Sequence, residues 1–231
     1  MREPPTVVIV MPAFNEAAVI GTVLSKIPAK IESFNTISIV VDDGSIDLTD
    51  EIARKAGAHV IRHMANVGVG AATITGLRAA KQLDAEIIGT MDADGQHDPA
   101  ELERLVQCLI DGPFDVVIGS RLRIPSGMPL SRFAANLLLN FVTFVVYRKI
   151  VSDSQSGFKV FSKQALAAID LNSSGYEICS EIIGEIYRKN LRYKSVPIRA
   201  VYTRYSRAKG QHFLNGINLI LGLFIRLMRR T

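Results

Sequence analysis

Five short apolar runs dominate the first half of the 231-residue chain: "TVVIVM" (6–11), "TISIVV" (36–41), "HVIRH" (59–63), "EIIGTM" (86–91) and "FDVVIGS" (114–120). Amphipathic stretches separate them, over 16–27, 47–56, 69–82 and from Pro99 to 110. Strand-length runs that alternate with helix-length segments have few ways to hide their apolar faces. The pattern predicts an α/β fold with a mostly parallel, Rossmann-like sheet and helices on both faces. Each run ends in a polar cluster: "PAFNE", "DDGS", "HMANVG", "DADGQ" and "GSR" in turn. In open sheets of this kind ligands bind beyond the carboxyl ends of the strands, so five such clusters at one edge predict one composite site.

The acidic cluster "MDADGQHDP" (91–99) carries the most chemistry. Residues two apart on an extended chain point the same way, with Cα atoms roughly 6.6 Å apart. Asp92 and Asp94 can therefore reach one hard cation, Mg2+ or Mn2+, which prefers oxygen ligands and is commonly shared with substrate phosphates. Gln96 can add an amide oxygen. Asp98, just before Pro99, fits a helix cap instead. Asp42 and Asp43 end the second run, where a carboxylate can accept hydrogen bonds from a base or a ribose. Asp47 fits the cap of the following helix. The glycines of "NVGVGAATITG" (66–76) fail the dinucleotide fingerprint: Thr73 holds its third position, and the loop follows the third run instead of the first. Close packing of loop and helix near a nucleotide explains them better than a nicotinamide site.

The second half changes character. Residues 133–147, "FAANLLLNFVTFVVY", hold no charge between Arg132 and Arg148. The run is shorter than the ~20 residues that span a bilayer. Asn136, Asn140 and Thr143 recur at helical spacing as a narrow polar stripe. Segment 213–230, "FLNGINLILGLFIRLMRR", repeats the design and ends in arginines, as an interfacial helix would. Both segments also suit core helices or a dimer interface. The net charge of +5 favours anionic partners such as nucleotides and phospholipid head groups. Scattered basic residues without a recognition motif argue against nucleic acid. Cys108 and Cys179 form no metal-type pair, consistent with a reducing cytoplasm, and the start lacks a signal-peptide cleavage site.

The ordered set "PAFNE", "VVDDGS", "NVGVGAA", "MDADGQHDP", "GSR" and "DSQSGFKVF" resembles the family 2 glycosyltransferases of the GT-A fold. Within them it is similar to the polyprenol-phosphate branch, which includes the dolichol-phosphate mannose synthases. The resemblance covers about residues 6 to 210. It implies a catalytic domain over 1–210, followed by an amphipathic helix over 211–231 as a membrane-surface anchor on the cytoplasmic face. It implies that Pro12, Phe14 and Glu16 bind the nucleotide, with Phe14 in place of the more usual tyrosine. Asp42 and Asp43 then lie at base and ribose, and Ala93 joins the donor-binding positions. Asp92 and Asp94 become the metal pair, Asp94 serving catalysis as well, with Gln96 as third ligand. Arg121 and Arg132 match arginines that hold the acceptor phosphate. Arg204 and Lys209, in "YTRYSRAKG", resemble a basic pair that closes over the phosphates, although their spacing is one residue shorter than the family's.

The resemblance thus implies an inverting, metal-dependent transfer of a hexose from a GDP-mannose or UDP-glucose type donor to a polyprenyl phosphate. The residue types suit this chemistry on their own account. A leaving nucleoside diphosphate is highly charged, and a divalent ion and cationic side chains stabilise it. Arginine adds a bidentate fork for phosphate oxygens. A lipid phosphate needs no strong base. A soluble or protein hydroxyl acceptor would need one, and Asp153 is the candidate carboxylate. A nucleotide-binding membrane-surface module without transferase activity is the non-enzymatic alternative.

Overall fold

The computed structural model describes residues 4–125, 127–148, 150–202 and 205. The apolar runs form strands β1 (Thr6–Ala13), β3 (Phe34–Asp42), β4 (His59–Arg62), β5 (Ile87–Thr90) and β6 (Val116–Ser120). A two-residue strand β2 (Lys30–Ile31) precedes β3, and β7 (Lys159–Ser162) and β8 (Tyr193–Pro197) follow in the second half. Along the sheet the order is β2-β3-β1-β5-β7-β6-β8, with β4 also on β3. The pairs β1/β3, β1/β5, β3/β4 and β6/β8 are parallel. β2/β3, β5/β7 and β6/β7 are antiparallel. The sheet is therefore mixed. The expected parallel arrangement holds through the first five runs, and β7, entering backwards between β5 and β6, breaks it.

The chain leaves β1 toward β3 and β4, then returns to the other side of β1 as β5. That reversal opens a crevice at the carboxyl ends of β1, β3 and β5, where loops 12–16, 42–48 and 91–98 meet. β1 is buried on both faces, as its unbroken apolar sequence requires. Val7, Ile9 and Met11 face one core with Leu102, Leu105 and Leu109. Val8 and Val10 face the other, with Ala72, Leu77, Ile178 and Ile182. Successive strand side chains point to opposite faces, so one strand feeds both cores.

Helices α1 (Ile20–Ser25), α2 (Thr49–Lys55), α3 (Val69–Gln82) and α4 (Glu101–Asp111) occupy the predicted amphipathic stretches. α1 is shorter than the expected 16–27. Asn15 is left-handed (φ 54), residues 16–19 form a turn closed by the Val19 N–H on the Glu16 carbonyl, and the Glu16 N–H donates to Thr49 Oγ1 at 2.8 Å. Asp47 Oδ1 accepts the Thr49 N–H at 3.0 Å, and Asp98 Oδ1 accepts the Ala100 N–H at 3.1 Å. Both acids therefore serve helix starts, as read from the sequence.

The neutral run folds as α5 (Leu130–Tyr147), followed by α6 (Lys163–Ala168) and α7 (Ile178–Arg188). α5 is no core helix: only Leu139 and Thr143 of its 18 residues are buried. Extended beyond the apolar run, it is long and apolar enough, by length and composition, to cross a membrane. The 211–231 segment, with its expected amphipathic helix, lies outside the described residues.

Candidate active site

The crevice widens into a cavity of about 580 Å³. Of the residues singled out in the sequence, Pro12, Phe14, Glu16, Asp43, Asp92, Ala93, Asp94, Gln96, Arg121 and Arg132 line it. Asp42 and Asp153 do not, and Arg204 and Lys209 lie outside the described residues. Clusters drawn from 120 residues of sequence thus share one space.

The first two loops are laced together. Asn15 N–H donates to Ser45 Oγ (2.8 Å), and its own Oδ1 accepts from the Ile46 N–H (2.9 Å). Asp43 points toward the third loop: its carboxylate accepts from the N–H groups of Val67 (3.1 Å) and Gly68 (2.8 Å) and lies 2.8 Å from His63 Nδ1. Asp42 differs from its expected place beside the nucleotide. It is fully buried behind the cavity, where Oδ1 accepts the Ser45 N–H at 3.0 Å and Oδ2 sits 3.4 Å from Arg62 Nε. Of the two neighbouring acids, one shapes the turn and one faces the ligand space.

The glycine loop is a seat, as its sequence suggested. Gly68 has φ 105, and a Cβ there would stand 2.4 Å from the Ser174 carbonyl oxygen. One on Gly70 would stand 2.3 Å from that of Ser173. The Gly70 N–H instead donates to Ser174 O at 2.7 Å. This holds segment 170–175 on the start of α3 and brings Tyr176 and Ile178 to the cavity wall. Glu181, buried on α7, secures the other side by accepting the Asn172 and Ser173 N–H groups.

Asp92 lies deep in the fold yet keeps 38 % of its side-chain surface open, toward the cavity. Burial raises the proton affinity of both Asp92 and Asp94, and the charge of Asp92 raises that of Asp94 further. Gln96 donates to Asp94 twice, from its backbone N–H (2.9 Å) and from Nε2 (2.7 Å). His97 Nδ1 accepts the Asp92 N–H at 3.2 Å. Burial, then the Arg121 charge, push His97 down to about 3, so the ring is a neutral prop. Gly157 completes the cradle, because a Cβ there would stand 2.2 Å from Asp92 Oδ1.

Two acids whose charges burial disfavours, that of Asp94 further opposed by Asp92, are a fitting seat for a divalent cation. No group of three or more His, Cys, Asp or Glu among the described residues is set to hold a metal unaided. A two-carboxylate seat is nonetheless what a metal shared with a ligand's phosphates requires.

Opposite the acids stand the cations. Arg121 is buried and forked onto Asp153, Nε to Oδ2 at 2.9 Å and Nη2 to Oδ1 at 3.0 Å. Burial opposes the guanidinium charge, but Asp153 more than offsets it and leaves Arg121 more firmly protonated than usual. Asp153 is thus misplaced for the base that a hydroxyl acceptor would need: it is out of the cavity and both oxygens are engaged by Arg121. Arg132, at the start of α5, lies 5.8 Å from the Tyr202 ring centroid in a cation–π contact.

Sequence reasoning missed Lys159, Gln155, Tyr176 and Tyr202, which also line the cavity. It missed Tyr205 as well, whose hydroxyl lies 2.9 Å from Glu16 Oε2. The "SQSGFK" motif contained the first two. Tyr202 and Tyr205 stood in "YTRYSRAKG", where only the basic residues were singled out, and Tyr176 had no distinguishing spacing.

A model of the family described as glycosyl transferase family 2 matches residues 8–170. An uncharacterized protein of Methanocaldococcus jannaschii is 40% identical over 94% of this chain and 90% of its own. The UDP-N-acetylglucosamine–dolichyl-phosphate N-acetylglucosaminyltransferase of Methanococcus voltae is 35% identical over 96% of each. Among solved structures, glucosyl-3-phosphoglycerate synthase from Mycobacterium tuberculosis, in complex with Mn2+, UDP and phosphoglyceric acid, superposes with a TM-score of 0.75. It covers 98% of this chain and 78% of that one, at 20% identity, a likeness of fold.

Proposed function

The chain belongs to glycosyl transferase family 2 and is a glycosyltransferase; from that membership we propose that it moves a sugar from a nucleoside diphosphate donor to a polyprenyl phosphate. The observation that carries the proposal is the meeting, in one cavity, of the acid pair Asp92/Asp94 with Arg121 and Arg132, beside a helix whose outer face is apolar and exposed. The name of the M. voltae relative supports the same class of acceptor and puts UDP-N-acetylglucosamine beside the hexose donors of the UDP-glucose and GDP-mannose type.

Pro12, Phe14, Glu16 and Asp43 hold the nucleotide end of the donor. Asp92 and Asp94 would hold a Mg2+ or Mn2+ ion, with Gln96 as a third ligand; in the structure Gln96 donates to Asp94 and orients it. When bound, that ion neutralises charge on the departing diphosphate. Arg121, fixed by Asp153, and Arg132 bind the acceptor phosphate and aim one of its oxygens at the anomeric carbon. The new carbon–oxygen bond forms on the face opposite the leaving group. The bond from the anomeric carbon to the β-phosphate oxygen breaks, and its electron pair leaves with the nucleoside diphosphate. Configuration inverts, and no proton has to be removed.

α5 rests its face of Leu137, Phe141 and Val145 on the cytoplasmic surface of the membrane, so a lipid tail can stay in the bilayer while its head enters the cavity. The test is a panel of nucleotide sugars with Mn2+ and a polyprenyl phosphate. Expected is one strongly preferred donor and a glycosyl-phospholipid of inverted configuration. Transfer to a hydroxyl acceptor with none to lipid phosphate overturns the reading.

A further inference from the structure

The polar stripe on α5 is a grip on segment 152–156, which carries Asp153. Asn140 Nδ2 donates to the Ser152 carbonyl at 3.0 Å, and Asn140 Oδ1 accepts the Ser154 N–H at 2.8 Å. One side-chain amide therefore brackets Asp153, holding the peptide group on each side of it. One turn further on, Thr143 Oγ1 meets Ser154 Oγ (3.2 Å) and Ser180 Oγ (3.1 Å), and Gln155 Nε2 donates to the same two hydroxyls at 3.1 and 2.9 Å. Ser154, Thr143 and Ser180 are all buried. Asp153, so held, forks onto Arg121, which lines the cavity.

We propose that Asn140 is a positioning residue for transfer: it fixes the backbone around Asp153, and through Asp153 the angle at which Arg121 enters the cavity. A merely helical requirement would be met by any residue that packs between α5 and the loop. A donor and an acceptor that match the two peptide groups flanking a single carboxylate do more, because they set that carboxylate's position along both directions of the chain. Little else of α5 is buried, so this bracket carries much of the helix's registration on the body of the protein. The seating of α5, whose opposite face is the exposed apolar one, is thereby tied to the Arg121 fork. The inference rests on the role assigned above to Arg121.

The test is a double-mutant cycle on the full chain, reading kcat and KM for acceptor in the presence of saturating donor. Asn140→Ala is expected to lower kcat/KM by about 10- to 100-fold, the scale on which a roughly 1 Å misplacement of a binding group acts. Nucleotide affinity should stay within about twofold, because the donor loops do not touch Asn140. Asn140→Gln, which keeps both the amide donor for Ser152 and the amide acceptor for Ser154, should recover part of the loss. On an Arg121→Lys background, where the fork is already gone, Asn140→Ala should cost little more: groups acting through one path are non-additive. Losses that multiply in the double variant while Arg121→Lys alone impairs transfer overturn the coupling and leave the acceptor-phosphate reading intact. Full activity of Arg121→Lys overturns that reading and the coupling with it. Thermal unfolding of each variant separates misplacement from failure to fold. A loss that tracks Tm, with no rescue by Asn140→Gln, counts against positioning.

Discussion

Asp153 and Arg121 form a closed, buried fork: both carboxylate oxygens accept from the guanidinium, and Oδ2 also accepts the Arg121 backbone N–H at 3.0 Å. Removing one partner of such a pair leaves the other charge buried without compensation. Asp153→Asn should therefore cost about 3–5 kcal/mol of stability, measured by urea unfolding. A residue serving only as a proton acceptor for substrate would lose activity with stability unchanged, so the two roles separate cleanly.

The same pair sets an acid limb. Burial alone would raise the Asp153 carboxyl, but the Arg121 charge and hydrogen bonds outweigh it and hold it below its usual value. A carboxyl lowered in the folded state contributes stability that is fully present above its unfolded value, about 3.9. That stability is lost as pH falls through the lower folded value. Hydrogen bonding to Arg192 also lowers Asp115, but Arg192 is 64% exposed and solvent screens the pair. The Asp153 share of the loss should appear only below about pH 4, as a wild-type minus Asp153→Asn difference in unfolding midpoint measured from pH 7 to 3, while His97, held down to about 3 in the fold, adds a loss common to both proteins that begins below about pH 6.5. Asp153→Asn should flatten that limb, and Arg192→Ala should leave it nearly unchanged.

How far the sequence carries can be seen at these residues. The acid pair at a strand end, the close packing at the glycine loop and the alternation of strands and helices in the first half follow from local periodicity and from turns placed after strands, which short-range chemistry encodes. Segment 152–156 is different. "SDSQS" has the composition of a solvated loop, yet Asp153, Ser154 and Ser156 are completely buried because α5 and α7 close over them. Asp153, Ser154 and Gln155 find their partners in Arg121, Asn140, Thr143 and Ser180, from 11 to 32 residues away, while the buried Ser152 hydroxyl has no hydrogen-bond partner among the described residues. No local pattern announces such pairings. The reversed entry of β7 was hidden for the same reason: a four-residue strand takes its direction from the sheet it joins.

Asp92→Asn and Asp94→Asn should each lower transfer by at least about 100-fold, by removing charge-stabilising ligands. Mn2+ binding in the presence of nucleoside diphosphate, followed by calorimetry, should be lost in parallel. In the metal-free protein the same changes should leave Tm unchanged or higher, since burial disfavours both charges there and the Asp92 charge further disfavours that of Asp94. A fall in Tm would show that the acids hold the fold instead of a ligand.

Gly70→Ala sets a Cβ against the backbone of Ser173 and Gly175, neither of which can swing aside as a side-chain tip would. Segment 170–176 must shift, at about 1–3 kcal/mol. Because that segment carries Tyr176 to the cavity wall, nucleotide sugar affinity should fall along with Tm. Gly57→Ala meets no atom within 4 Å but occupies a φ of 87, so it strains the backbone without touching the cavity. Its stability should fall while donor affinity, by titration calorimetry, stays that of the wild type.

Leu137, Leu138 and Phe141 are 48%, 53% and 61% exposed on one stretch of α5. Apolar side chains so placed on a helix with few buried residues gain free energy by entering the acyl boundary of a bilayer, about 25 cal/mol for each Å² withdrawn from water. Replacing Leu137 and Phe141 together by Gln should weaken co-sedimentation with phospholipid vesicles by at least about tenfold, since two such side chains are worth roughly 1.5–3 kcal/mol each when fully buried. Asn140 and Thr143, on the gripping side of the helix, are untouched by these changes, so transfer to a short-chain, water-soluble polyprenyl phosphate should persist. Vesicle binding that survives the double substitution would move the membrane contact away from this face of α5.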